Sequence, residues 1–185
     1  MTTVEIVLQL AMGIGLAAAA GLRAFLPPLV VGLAARADLI TLGERFTWME
    51  TTPALLIMAV AVVVEMLGDK FPVVDHALDT VGTVARPVAG ALVATSAITA
   101  LDPVTGAVIG VMVGGSVAGG VHALKAMTRL LSTGATAGIA NPVVSLLEDG
   151  VSLSASVLAI LAPFVAAAIV IGLAVVLLRR SRRRR

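Results

Sequence analysis

ALLIMAVAVVV (residues 54–64), EMLGDKFPVVDHALDTVGTVAR (65–86) and VAGALVATSAITAL (88–101) place a charged stretch between two apolar runs. The middle stretch carries four carboxylates (Glu65, Asp69, Asp75, Asp79), with Lys70, Arg86 and His76 among them. Glu65 and Asp69 stand four residues apart, as do Asp75 and Asp79, so each pair shares a helix face. Like charges at that spacing repel by a few tenths of a kcal/mol in water. Near a membrane the cost rises, and such pairs usually hold a cation, a proton or a basic partner. Gly68 and Pro72 weaken or break a helix between the pairs. The stretch therefore reads either as an interfacial loop with hydrated charges or as a buried polar site.

The apolar runs set the class. Of 185 residues, 59% are hydrophobic and 13% charged, the latter about half the usual share of a soluble domain. Mean hydropathy is +1.08. Long Ala/Val/Leu/Gly runs fit an all-α polytopic membrane protein and match poorly the short alternating strands of a closed barrel. The first apolar run lacks the basic start of a signal peptide and carries Glu5 instead. The absence of cysteine excludes disulfides, thiolate metal sites and cysteine nucleophiles. Aromatics, at 3%, are too few for a stacking-based ligand cage. Arg179, Arg180, Arg182, Arg183, Arg184 and Arg185 crowd the last seven residues; without them the body has 7 basic and 11 acidic residues, a net of −4. A basic run just after an apolar helix reads as a cytoplasmic stop signal and an anionic-lipid contact, with Arg179, Arg180, Arg182 and Arg183 at the headgroups. No folded basic surface or aromatic set accompanies it, which argues against nucleic acid.

Residues 4–35 are apolar except for Glu5, Gln9 and Arg23. As one helix they would be about 50 Å long, against a hydrocarbon core of roughly 30 Å. The run must tilt or break, and Pro27-Pro28 is the natural break, with Arg23 just before it. Arg23 either lines a cavity at that discontinuity or snorkels to a headgroup. Residues 36–53 form a polar connection, and a helix follows from about 53 to 67. Arg86-Pro87 opens another apolar helix to Leu101, and Asp102-Pro103 makes a sharp turn. In the run 104–131, Gly106, Gly110 and Gly114 recur every four residues, as do Gly115 and Gly119, a close-packing face for helices within the bundle or between protomers. His122, Lys125 and Arg129 follow on roughly one face. Residues 132–150 read as a turn-rich linker in which Asn141-Pro142 starts a helical turn that Glu148-Asp149 closes. A last helix runs from about 152 to 178. The count is five to six membrane segments. With the arginine tail in the cytoplasm, five spans put 36–52 on the cytoplasmic side and 69–85 and 132–151 on the other.

Gly21-Leu22-Arg23-Ala24 is similar to Gly120-Val121-His122-Ala123, and each is followed by a break, a polar segment and an apolar helix. This suggests one membrane domain of two halves, 1–101 and 104–178, with 179–185 as a basic tail. Their first helices would run in opposite directions, an inverted repeat with broken helices.

Taken together, G-L-R-A-F-L-P-P at 21–28, E-x-x-G-D-K-x-P-x-x-D-H-x-x-D at 65–79, R-P-x-x-G at 86–90, H-x-x-K at 122–125 and N-P-x-x-S-x-x-E-D at 141–149 resemble a family of small bacterial membrane proteins known as a domain of unknown function (4126). The resemblance covers nearly the whole chain. It implies an integral membrane protein with these polar motifs as its signature, and no activity. Residues 65–70 resemble more loosely the E-x-G-D-K/R motif of cation/proton exchangers, with one extra residue between Glu65 and Gly68.

The leading functional reading is a small transporter or permease in the plasma membrane. Its polar centre would comprise Arg23, Glu65, Asp69, Lys70, Asp75, His76, Asp79, Arg86, His122, Lys125, Asn141, Glu148 and Asp149. The carboxylates would take protons or hard cations. The two histidines would exchange protons, and Arg23, Arg86 and Lys125 would hold the carboxylates or an anionic group. The second reading is a structural or lipid-interacting membrane protein whose charges form interhelix salt bridges. An enzyme is disfavoured: Ser145, His122 and Glu148 lack a G-x-S-x-G elbow. No cofactor is called for. The expected partners are membrane lipid, a second copy of the chain through the glycine face, and a small ion or solute.

Overall fold

The computed structural model describes residues 2–68 and 72–183, without the side chains of 72–77 and 181–183. The described elements are α1 (Thr3–Leu22), α2 (Leu26–Arg36), a 3-10 segment (Glu44–Glu50), α3 (Thr52–Gly68), α4 (Pro72–Ala97), α5 (Pro103–Ile109), a π turn (Gly110–Gly114), α6 (Gly115–Thr136), α7 (Asn141–Leu161) and α8 (Pro163–Arg183). The all-α expectation agrees with this. Among the described residues, four helical stretches are long and apolar enough to cross a membrane, or five if the bent pair Glu44–Glu50 and Thr52–Gly68 is one span. Five to six were expected. The expected span at 87–101 does not qualify, because the apolar half of α4 is diluted by Arg86, Pro87 and several Gly, Ser and Thr residues; the region of the expected last helix supplies two, α7 and α8, and α2 is too short to add a sixth. Large apolar side chains cover the outside, among them Leu56, Ile57 and Val60 of α3 and Val104, Val108 and Met112 on and after α5. Several apolar helices with such an exterior indicate a multi-pass membrane protein.

The hub is α1. A capping box between Thr2 and Glu5 starts it, which accounts for the acid at the head of an apolar run. Its segment Gly15 to Gly21 is wholly buried, because small residues let α4, α6, α7 and α8 all approach it. α4 runs antiparallel to it. The Gln9 side chain accepts from the Thr99 and Ala100 backbone N–H at 2.8 and 2.7 Å, and Gly13 lies against Ala94.

The long run 4–35 does not continue past a kink; it reverses. α1 stops at Leu22, and the backbone at Ala24 and Phe25 meets Glu65 near the end of α3. Arg36, at the end of α2, donates to Thr52 at the start of α3, so α2 and α3 are antiparallel. Gly43 then donates to the Ser96 carbonyl near the end of α4. α2 has 11 residues, about 16 Å, half the thickness of a hydrocarbon core. The start of α1 and the 37–51 connection thus share one end of the bundle, where five alternating spans had placed them on opposite sides. Pro27 and Pro28 lie in the first turn of α2, where a missing N–H costs nothing; the break itself falls at Arg23–Phe25.

Three further expectations are corrected. Pro87 does not open a helix but lies inside α4, which runs unbroken across Arg86-Pro87. Residues 141–150 are not a linker closed by Glu148-Asp149 but the first half of α7. The expected helix 152–178 is two helices, broken at Ala162 (φ −144°, ψ 65°), because the residue before Pro163 is pushed off the helical region and Pro163 has no N–H to give.

The glycine face is spent within the chain. A Cβ at Gly106 would touch Ile98, at Gly110 it would strike Thr95, and at Gly114 it would strike Ala94 and the Gly90 carbonyl, all on α4 or just after it. The π turn sits in this contact, where one wider turn lets two backbones approach. A dimer through Gly106, Gly110 and Gly114 therefore has no free surface to use. α1 and α6, which carry the two similar tetrapeptides, cross at Gly21 against Ala118 and Val121.

Candidate functional site: an ion network at the α1–α2 elbow

α1 ends at Arg23, whose extended backbone (φ −133°, ψ 120°) turns the chain and whose own N–H closes the last helical bond onto Ala19. Its side chain is 1% exposed. Three charged or polar groups of α7 receive it. Nε lies 2.5 Å from Asp149 Oδ1, Nη2 donates to Ser145 Oγ at 2.8 Å and to its carbonyl at 3.2 Å, and Glu148 Oε2 lies 4.0 Å away. Ser145, Glu148 and Asp149 share a face because they are three and four apart. Ser152 and Ser156 continue this stripe, with Ser152 Oγ donating to the Ala19 carbonyl at 3.0 Å.

α6 supplies the next cations. Lys125 Nζ lies 3.1 Å from Glu148 Oε2 and donates to the Leu22 carbonyl at 3.1 Å, taking up an acceptor that the end of α1 leaves open. Arg129 Nη2 reaches the same Glu148 Oε2 at 3.1 Å. Its Nη1 lies 3.8 Å from Asp79 Oδ2 on α4. Asp79, with its side chain 32% exposed, is the network's contact with the outside. Arg86 Nη1 lies 3.3 Å from Asp79 Oδ1, and its Nη2 lies 3.8 Å from Glu65 Oε1.

Glu65 closes the circuit. Its two carboxylate oxygens accept from the backbone N–H of Ala24 (3.0 Å) and Phe25 (3.3 Å). These amides precede α2, so its start is satisfied by a carboxylate from α3 and the elbow is tied to that helix. His122 hangs on Arg86, whose Nη1 donates to His122 Nδ1 at 2.6 Å. Arginine cannot accept, so Nδ1 carries no proton in this arrangement and the ring proton sits on Nε2, 3.5 Å from Thr83 Oγ1.

Among the described residues, eight charged side chains from five helices thus form one circuit: Arg23, Arg86, Lys125 and Arg129 against Glu65, Asp79, Glu148 and Asp149. Each sign contributes four charges. Among the described residues no group of three or more His, Cys, Asp or Glu is placed to hold a metal ion, because a cation stands between the carboxylates of different helices.

Of the expected centre, Arg23, Glu65, Asp79, Arg86, His122, Lys125, Glu148 and Asp149 converge here. Asn141 does not join them: at the start of α7, it donates to Thr133 Oγ1 of α6 at 3.0 Å. Asp69 and Lys70 lie outside the described residues, as do the side chains of Asp75, His76, Arg182 and Arg183. Arg179 and Arg180 are exposed on α8. Arg129 and Ser145 were not in the expected set, although Arg129 follows His122 and Lys125 on one face and Ser145 stands three and four residues before the α7 acids.

A helical bundle with apolar spans and a paired, buried ion network at a chain reversal is the class that fold and site define. The chain belongs to the family described as a domain of unknown function (DUF4126), whose model matches residues 10–183. No curated protein and no solved structure matches it.

Proposed function

We propose that the chain is a small transporter or permease and that the ion network at the α1–α2 elbow is its working site. The observation that carries this reading is the placement of the network. Eight buried or half-buried charges gather where α1 stops and reverses, and a carboxylate, Glu65, holds the two backbone amides at the turn. Buried ionisable groups in apolar helices are expensive, and discontinuous helices in such bundles commonly border a transport site. Moving a proton onto Glu65 or Asp79 unbalances Arg86 and loosens the link between α3, α4 and the elbow, which couples protonation to helix movement. In this reading the protein sits in a bacterial plasma membrane with the arginine tail in the cytoplasm, where Arg179 and Arg180 meet anionic headgroups.

The test is flux. Purified protein in liposomes carrying an internal pH dye is given a pH gradient, and Glu65→Gln is compared with wild type. The expected result is a proton flux that Glu65→Gln reduces at least tenfold while the helical content stays unchanged. Equal flux in both would remove Glu65 from the mechanism.

A second reading, an interhelix lock with lipid contacts and no transport, is favoured by one observation: each of the eight charges has an opposite partner within 4.0 Å. On that reading, variants in the network change stability and no flux is detected.

A further inference from the structure

The network is not evenly built. Glu148 Oε2 receives three cations on a single oxygen: Lys125 Nζ at 3.1 Å, Arg129 Nη2 at 3.1 Å and Arg23 Nη2 at 4.0 Å. All three cations are nine-tenths or more buried. They come from two helices other than the one bearing Glu148, and Lys125 is further fixed by the Leu22 carbonyl. Such a pocket is shaped for an anion. Among the described residues no three acidic side chains converge on one point in the opposite sense.

We propose that the pocket formed by Arg23, Lys125 and Arg129 is a binding site for a small monovalent oxyanion or carboxylate, closed in this state by the Glu148 carboxylate acting as its tethered occupant. This deepens the transport reading by naming the charge of the solute, and it rests on that reading only for the claim that the anion crosses. Binding requires Glu148 to leave. An arriving anion with Glu148 still ionised would add a fifth negative charge to the described set of four positive and four negative ones, of which all but Asp79 are buried. An arriving anion with a proton on Glu148 keeps the set neutral, which is the state a low-dielectric site favours. One proton therefore enters with each anion. The groups that face this exchange are Arg23 from α1, His122, Lys125 and Arg129 from α6, Asp149 beside Glu148 on α7, and Arg86 and Asp79 of α4.

The experiment is done on the full-length protein in detergent, so that binding is read without transport. Formate is titrated at neutral pH into wild type, into Glu148→Ala, which vacates the pocket, and into Glu148→Gln, whose neutral amide stands in for the protonated acid. The expected result is a saturable rise in melting temperature for both variants and a far smaller one for wild type. No rise in either variant, or an equal rise in all three proteins, overturns the site. Where Glu148→Ala does not fold, wild type is titrated with nitrate, an anion that stays ionised throughout. Its apparent Kd is expected to tighten as pH falls, by up to about tenfold per pH unit, the limiting slope for one proton taken up per anion. A pH-independent Kd, or no binding, overturns the proposal. Formate binding without flux in liposomes keeps the anion site and removes the transport reading; flux without anion binding does the reverse.

Discussion

The two ends of the bundle are held together by different physics. At the elbow end, α1, α3, α4, α6 and α7 meet through charges, and the backbone at Ala24 and Phe25 rests on a carboxylate. At the other end α1, α4, α7, α8 and the π turn meet through small residues. Gly13 touches Ala94, Gly15 lies against Ala159 and Ala166, and Gly110 lies against Thr95. The main polar tie between α1 and α4 there is Gln9. The apolar end is close-packed. The charged end is made of ion pairs that share partners, with Arg86 between Glu65 and Asp79 and Arg129 between Asp79 and Glu148. Under the proposed transport role the packed end is the scaffold and the shared pairs are the part that rearranges.

The contrast can be broken from either side. The largest effect is expected at the charged end. Arg23→Ala leaves Asp149 and part of Glu148 buried without their partner, at about 3–5 kcal/mol, read as a loss of melting temperature or denaturant resistance in detergent. At the packed end, Gly110→Ala drives a methyl into the backbone of Thr95 and is expected to cost about 1–3 kcal/mol. The same assay checks it, and flux per folded molecule should stay unchanged. Gln9→Leu strands the Thr99 and Ala100 amides, for about 1–2 kcal/mol, with hydrogen exchange at the end of α4 as the local readout.

The smallest effect concerns Asp102, the N-cap of α5. The Thr105 side chain and backbone N–H hold its carboxyl below the ordinary aspartate range. A lowered folded value means a stabilising contribution that is present above the unfolded value and lost as pH falls through the folded one. Asp102→Ala should therefore melt slightly below wild type at neutral pH, and the gap should close in acid.

Much of the charged end was legible from sequence. Arg23 before a proline pair, Glu65 at the end of an apolar run, and His122 and Lys125 three apart each broke an apolar pattern, and all fall in the network. The reversal was not legible, since an apolar run with a break looks the same whether the chain goes on or turns back. What decides it is a contact 41 residues away, Glu65 onto Ala24. The first half of α7 is hidden in the sequence because Asn141-Pro142, Glu148-Asp149 and Gly150 look like turn chemistry. Yet Ser145, Glu148, Asp149, Ser152 and Ser156 recur at helical spacing with apolar residues between them. In water that is a polar outer face; in an apolar surround it points inward. The glycine face was read correctly as close packing, while its partner, α4, could not be read from one chain's spacing.

Whether the network is a site as well as a lock is decided by the double variant Arg23→Ala/Asp149→Ala. Removing a whole pair avoids the stranded charge that makes Arg23→Ala costly. The double variant is expected to recover at least about half of the stability lost in the single one while flux in liposomes stays at least tenfold below wild type. Recovered stability with wild-type flux would contradict the working site and leave the network as a lock alone.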